Sequence, residues 1–319
     1  MTRNVAPTAL PEDGVVATTT HVAVPCSAPS GQAAARSPLD PWLAARLSIT
    51  LDALSPDALS PATVRARQDG LLREAVCRAL DAPFYRTRLA GLPLPRTLDD
   101  IARLPFTTAD DLREVGDALL RVADDAVARI VTLPTSGSTG APKRLRFSDA
   151  DIERTVDFFA VGMTTLCRPG DVVAIFMPGQ RPDSVGDLLA RGLRRAGMQP
   201  VLLPPAASGA EHAALLAQSG AQVFVATPTQ ARAMADAVLS GAMLTGPAPA
   251  PRARACLLSA DATPPETADR VRAALGCEVF DHWGMTETGF GGGVECAAHH
   301  GFHLREADIH VEIVHPLTG

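Results

Sequence analysis

Thr135-Ser136-Gly137-Ser138-Thr139-Gly140-Ala141-Pro142-Lys143 gathers hydroxyls, glycines and a cation directly after an apolar run that ends at Leu133. Glycine lets backbone N–H groups turn toward a common point, where hydroxyls and the Lys143 charge can join them around anionic oxygens. The spacing is not that of a Walker A loop, because Pro142 stands where that loop needs its second glycine. A flexible Ser/Gly linker would need neither the Pro142-Lys143 ending nor a place between a strand and a helix. Phosphate binding is therefore the expected chemistry.

A second group lies far along the chain, at Asp281-His282-Trp283-Gly284-Met285-Thr286-Glu287. It offers a flat ring, a small residue that permits close approach, a hydroxyl and a carboxylate. The ring can stack on a base, the Thr286 hydroxyl can reach a phosphate, and Glu287 can hold Mg²⁺ against phosphate oxygens. Two other segments invite chemistry. Cys296, His299, His300 and His303 place four metal-ligand types within eight residues, and Cys256 or Cys277 could add another. No second CxxC or HxxxH pair accompanies them, so a solvated histidine loop is the first expectation, with zinc at Cys296, His299 and His303 the alternative. Gly289-Phe290-Gly291-Gly292-Gly293 fails the dinucleotide fingerprint, since Val294 occupies the last glycine position. Those glycines are expected to line a substrate tunnel or to form a loop.

These residues need elements to carry them. Apolar periodicity predicts helices over 61–80, 149–166, 184–196, 210–218, 228–239 and 264–275. A shorter helix is expected over 107–115, capped by Thr107 or Thr108. Strands are expected at 129–133, 171–177, 200–203, 222–226, 255–259 and 278–281. The alternation of strand and helix is the pattern of a doubly wound, mostly parallel sheet, whose ligands sit beyond the carboxyl ends of its strands. The alternating stretch 309–314 reads as one more strand. Residues 1–37, rich in Ala, Thr, Pro and Ser without periodicity, are expected to be a disordered leader to a single domain over 38–319.

The loop 135–143 resembles the phosphate loop of the adenylate-forming superfamily of acyl-CoA synthetases, adenylation domains and luciferases. Asp281–Glu287 is similar to that superfamily's aromatic-Gly-x-Thr-Glu motif, with Trp283 where tyrosine is usual. Pro83-Phe84-Tyr85-Arg86, Leu104-Pro105-Phe106-Thr107-Thr108 and Asp111-Leu112-Arg113 resemble the phenylacetate–CoA ligase-like branch. The resemblance runs from about Val64 to Gly319. It implies an α/β fold, the large N-terminal domain of such enzymes, with mostly parallel sheets flanked by helices and a helical N-terminal region. It also implies that Lys143 and the Thr135–Gly140 donors hold the departing phosphates, that Trp283 lies beside adenine, that Thr286 lies near the α-phosphate, and that Glu287 ligates Mg²⁺. Asp281, His282 and Gly284 would complete the nucleotide contacts. Ser259-Ala260-Asp261 occupies the position of the family's adenine-binding loop, although the usual glycines are replaced. Ala226-Thr227-Pro228-Thr229 resembles a segment beside the acyl pocket, and equally reads as a helix start.

The implied activity is ATP- and Mg²⁺-dependent conversion of an aryl or small organic acid to an acyl-adenylate, followed by thioester formation with coenzyme A. Gln180, Arg181 and Asp183 favour a polar acid. A non-catalytic nucleotide-binding remnant and an adenylyltransferase acting on a cofactor carboxylate are the competing expectations. The family's ribose-gripping Asp, hinge and lid domain with its second lysine cannot be located, so slow adenylation is expected of these 319 residues. Composition agrees with an enzyme. Hydrophobic residues at 46% suffice for a large core, and 29 basic against 35 acidic residues, net −6, argue against a nucleic-acid partner. No apolar run is long enough for a membrane span. Six scattered cysteines fit reduced thiols and a cytoplasmic location. A homodimer is compatible with all of this.

Overall fold

The computed structural model describes residues 37–50, 59–133, 143–242 and 251–315. The expected leader, apart from Ser37, lies outside them, as do residues 135–142 of the expected phosphate loop. An N-terminal helical region comprises α1 (Leu39–Arg46), α2 (Pro61–Ala79), α3 (Pro83–Arg88) and α4 (Ala109–Glu114). Next come β1 (Arg129–Leu133), β2 (Lys143–Phe147), α5 (Asp149–Met163), β3 (Val172–Ile175), α6 (Val185–Arg195), β4 (Gln199–Leu202) and α7 (Gly209–Ser219). The chain continues through β5 (Val223–Ala226), α8 (Pro228–Leu239), β6 (Ala255–Leu258), α9 (Pro265–Leu275), β7 (Glu278–Trp283), β8 (Gly293–Glu295) and β9 (Phe302–Leu304). Among the described residues no helix is long and apolar enough to cross a membrane.

The large sheet has strand order β4-β3-β5-β6-β7-β8-β9. Its first five strands are parallel, and β8 and β9 are added antiparallel. The period of two in each central strand divides its side chains between two apolar layers. Val173, Ile175, Val223, Val225, Ala255 and Leu257 face one layer, which includes side chains of α5 and α6. Ala174, Phe176, Phe224, Ala226, Cys256 and Leu258 face the other, with α7, α8 and α9. Burial on both sides explains why these strands read as continuous apolar runs.

Helix starts are fixed by reciprocal capping. Ser148 and Asp151 begin α5, Ser208 and Glu211 begin α7, and Thr227 and Gln230 begin α8. In each pair one side chain accepts the other's backbone N–H, satisfying two donors that would otherwise be orphaned. Thr108 and Asp111 do the same for α4. The helical region is tied to the sheet layers by Trp42 Nε1, which donates to Asp157 Oδ2 at 2.7 Å, and by the Arg46–Asp308 pair at 2.6 Å. The segments at 83–86 and 104–108 meet, since the Tyr85 and Thr107 hydroxyls lie 2.9 Å apart.

Three expectations need correction. Strand β1 does not join the parallel sheet but pairs antiparallel with β2 in a sheet of its own. Lys143 accordingly opens a strand instead of ending a loop, and its register partner is Leu133, so the residues that flank 134–142 lie side by side. The stretch 309–314 is not a strand: its alternation finds no ladder among the described residues, and Ile313 is 80% exposed.

Candidate functional site

Lys143 and Glu287, separated by most of the domain in sequence, meet at 2.5 Å between Nζ and Oε1. Each is positioned by a different device. Lys143 is carried by the β1–β2 hairpin, which leans on the glycine-rich loop: Phe147 stacks on Phe290 at 5.7 Å, and the Arg129 guanidinium lies 5.7 Å from the same ring. Glu287 sits in a single 3₁₀ turn, Thr286–Thr288, directly beyond the carboxyl end of β7. Thr288 fixes that turn, since its hydroxyl accepts from the Met285 N–H at 3.1 Å. Both charged side chains keep access to solvent, at 21% and 28% exposure. The pair therefore adds little to stability, and both charges can be offered to a ligand.

The loop from Gly284 to Gly293 requires its glycines for close approach. A Cβ on Gly292 would lie 2.2 Å from Trp283 Cζ3, and one on Gly291 would lie 2.5 Å from Phe158 Cδ1. The Trp283 ring thus rests against the loop backbone. Gly289 ends the 3₁₀ turn at φ +70°, and its carbonyl accepts from the Thr155 hydroxyl at 2.9 Å. Arg305 closes the loop from below. It is 5% exposed, reaches the Thr288 and Gly291 carbonyls at 3.4 Å, and pairs with Asp308 at 2.9 Å. Sequence reasoning missed Thr155 and Arg305. Neither lies in a motif, and their role depends on packing of α5 and β9 against the loop.

Beside this loop, between α5, α6 and the sheet near the carboxyl ends of β5, β6 and β7, lies a cavity of about 40 Å³. Its wall is mostly apolar and includes Phe159, Met163, Met177, Leu189, Val225 and Phe290, with Ser259 and His282 as its polar members. His282 Nδ1 lies 2.8 Å from Ser259 Oγ, while buried Nε2 has no partner among the described residues. Burial pushes the His282 pKa down to about 4, so the ring is neutral near pH 7. Asp281, by contrast, is pushed up to about 6 by burial, against hydrogen bonds from the Thr263 hydroxyl and the His282 N–H. Gln180 and Arg181 are exposed, and Asp183 pairs with Arg191 at 2.8 Å. Of that segment only Met177 reaches the cavity, so the wall is far less polar than the sequence suggested.

The structure thus brings together Lys143, Thr286 and Glu287 on one side and Ser259 and His282 on the other, with Trp283 and Gly284 between them along the chain. Ala260, next to Ser259, adopts φ +75°, a backbone conformation that glycine takes more readily. Asp261 is exposed there. Thr135, Ser136, Gly137, Ser138, Thr139 and Gly140 fall outside the described residues. Among the described residues no three His, Cys, Asp or Glu side chains gather to hold a metal. His299 instead lies 3.0 Å from Glu278 and 3.2 Å from Glu295. Burial opposes its charge, but these two carboxylates outweigh that and raise its pKa. Cys256 and Cys277 are buried against each other at 3.9 Å and face the other layer. They offer nothing to Cys296, His299 or His303.

A model of the AMP-binding enzyme family matches residues 96–311, two thirds of the chain and all of this site. The chain belongs to the AMP-binding enzyme family. The AMP-binding fold is also found in solved structures of 2-hydroxyisobutyryl-CoA ligase. One, in complex with 2-HIB-AMP and CoA in the thioesterification state, is 22% identical with a TM-score of 0.65. Another, in the postadenylation state with 2-HIB-AMP, is 22% identical with a TM-score of 0.64. Each covers 80% of this chain and 57% of its own, so the AMP-binding chain spans little more than half the length of those ligases. No curated protein matches it by sequence.

Proposed function

We propose that this site activates a small carboxylic acid with ATP, forming an acyl-adenylate and pyrophosphate, and that the acyl group then passes to coenzyme A. The observation that carries the proposal is the meeting of Lys143 with Glu287 at the mouth of the parallel sheet, in a chain of the AMP-binding family. A cation and a carboxylate side by side can divide the work on a polyphosphate. Lys143 would take non-bridging oxygens directly, and Glu287 would hold a divalent cation that offsets phosphate charge.

Glu287 suits Mg²⁺, which is usually held by one or two carboxylates plus substrate phosphates instead of by a full protein cage. When bound, Mg²⁺ neutralises phosphate charge. The acid needs no general base, since carboxyl groups are ionised near pH 7. The obstacle is repulsion between that carboxylate and the nucleotide, so the chain contributes position and charge compensation. Lys143 compensates the pyrophosphate that leaves. The Thr286 hydroxyl, one residue before Glu287, would donate to an α-phosphate oxygen. Trp283 presents an aromatic face for adenine. The cavity at the ends of β5, β6 and β7 receives the acyl part. Its largely apolar wall suits the hydrocarbon part of an aryl or small organic acid.

Acid-dependent exchange of labelled pyrophosphate into ATP tests the proposal. Exchange that appears only with an added small acid is the expected result. ATP binding with no exchange for any acid would point to a non-catalytic nucleotide binder. A stable AMP adduct on an added acid would point to an adenylyltransferase.

A further inference from the structure

Burying a guanidinium is costly unless its donors are met, and Arg305, 5% exposed, meets them on two sides. Toward the glycine-rich loop, its Nη1 reaches the Thr288 and Gly291 carbonyls at 3.4 Å, and its backbone N–H donates to the Gly292 carbonyl at 2.8 Å. Thr288 is the last residue of the turn that carries Glu287, so one residue fastens the end of that turn and the chain just after it. Away from the loop, Arg305 Nε donates to Asp308 Oδ2 at 2.9 Å. The other oxygen of that carboxylate accepts from Arg46 Nη2 at 2.6 Å, and Arg46 is the last residue of α1.

The same residues are joined by a second route. The Arg46 guanidinium lies 5.7 Å from the Trp42 ring, Trp42 packs against Phe158 at 5.7 Å, and the Arg305 guanidinium lies 5.7 Å from Phe158. Arg46, Trp42, Phe158, Arg305 and Asp308 thus close a ring of contacts, with aromatic faces between the two cations and one carboxylate shared by both. A Cβ on Gly291 would lie 2.5 Å from Phe158, so the loop rests on this ring as well as on Arg305. Apolar side chains of similar size would fasten α1 as firmly as a buried charge does. What the charges add is a fixed place for the carbonyls they hold.

Resting on the acid-activating reading of this site, we infer that α1 sets the position of Glu287: Arg46 holds Asp308, Asp308 holds Arg305, and Arg305 fixes the loop so that the Glu287 carboxylate meets a phosphate-bound cation. Arg46, Asp308 and Arg305 are positioning residues, acting through Glu287 and not on the nucleotide. A helix that precedes the family-matched residues 96–311 thereby takes part in nucleotide binding.

A double-mutant cycle between Arg46 and Glu287 tests this, read as the affinity of the 319-residue chain for ATP with Mg²⁺ by calorimetry. Arg46→Met removes a cation whose side chain is 31% exposed, so the melting temperature should fall by no more than about 4 °C. Affinity should fall at least roughly 5-fold. In the Glu287→Gln background the same substitution should leave affinity unchanged, because the group it positions is gone. Arg46→Lys keeps a cation for Asp308 and should regain most of the lost affinity. Should Arg46→Met not fold, Asp308→Asn, which keeps the shape of the side chain, takes its place in the cycle. A chain that needs Glu287 for ATP with Mg²⁺ but is indifferent to Arg46→Met overturns this inference and leaves the reading of the site standing. A loss of equal size with and without the Glu287 carboxylate does the same. No binding of ATP with Mg²⁺ by the wild type overturns both.

Discussion

Replacing Lys143 by Met removes the charge and keeps the aliphatic stem, and the structure fixes what that should cost. The Lys143–Glu287 contact is 2.5 Å long, but its side chains are 21% and 28% exposed. Ion pairs of that kind contribute at most about 1 kcal/mol to folding. The melting temperature should therefore hardly move. A hydrogen bond to a charged group, by contrast, is worth about 1.5–3 kcal/mol where a ligand makes it. ATP affinity should fall by roughly 10- to 150-fold, measured by calorimetry with Mg²⁺ present. Glu287→Gln supplies the counterpart. Without Mg²⁺ it frees Lys143 from its partner, so ATP should bind as well as or better than to the wild type. With Mg²⁺ it should bind more weakly. The reasoning fails if Lys143→Met leaves ATP affinity intact while lowering the melting temperature, because the pair would then be structural only.

The loop and its neighbours give three more expectations. Gly292→Ala places a Cβ 2.2 Å from the Trp283 ring, and overpacking of this sort costs roughly 1–3 kcal/mol, readable as a lower urea midpoint with unchanged slope. Arg305→Met leaves the Thr288 and Gly291 carbonyls and Asp308 short of a buried partner, and should cost roughly 3 kcal/mol in the same measurement. His282 and Asp281 act on pH stability with opposite signs. His282 is lowered from 6.5 to about 4, so its neutral-state contribution is lost as pH falls through that window, about 3 kcal/mol in all. Asp281 is raised from 3.8 to about 6, so its contribution is lost as pH rises through the same window. The wild-type profile should be nearly flat from these two groups. Subtracting His282→Gln stability from wild-type stability should give a difference that falls by about 3 kcal/mol from pH 7 to pH 4. A constant difference would show that His282 is not held neutral.

Much of this architecture was legible in the residues. The helices and parallel strands announced themselves because both faces of β3, β5 and β6 are buried, giving apolar runs bounded by capping residues such as Ser148, Ser208 and Thr227. Strand β2 did not, because its five residues carry Lys143, Arg144 and Arg146 and follow a glycine-rich stretch that reads as a loop through Lys143. Strands β8 and β9 are three residues each, too short for a period of two to register. The stretch 309–314 shows the reverse error, an alternating pattern with nothing to pair with among the described residues. At the site, Lys143, Thr286 and Glu287 stood out by motif. The pairing of Ser259 with His282 did not, because it joins the ends of two neighbouring parallel strands and only the β6–β7 register brings it about. Gln180 and Arg181 misled for the opposite reason. Charge is visible in a sequence, but which way a loop side chain turns is not.

A crystal structure of this chain with Mg²⁺ and a non-hydrolysable ATP analogue tests the central claim most directly. The account predicts the terminal phosphates at Lys143 Nζ, the cation at Glu287, the direct Lys143–Glu287 contact opened, and adenine against Trp283. Nucleotide bound elsewhere, with the Lys143–Glu287 contact still closed, would contradict it.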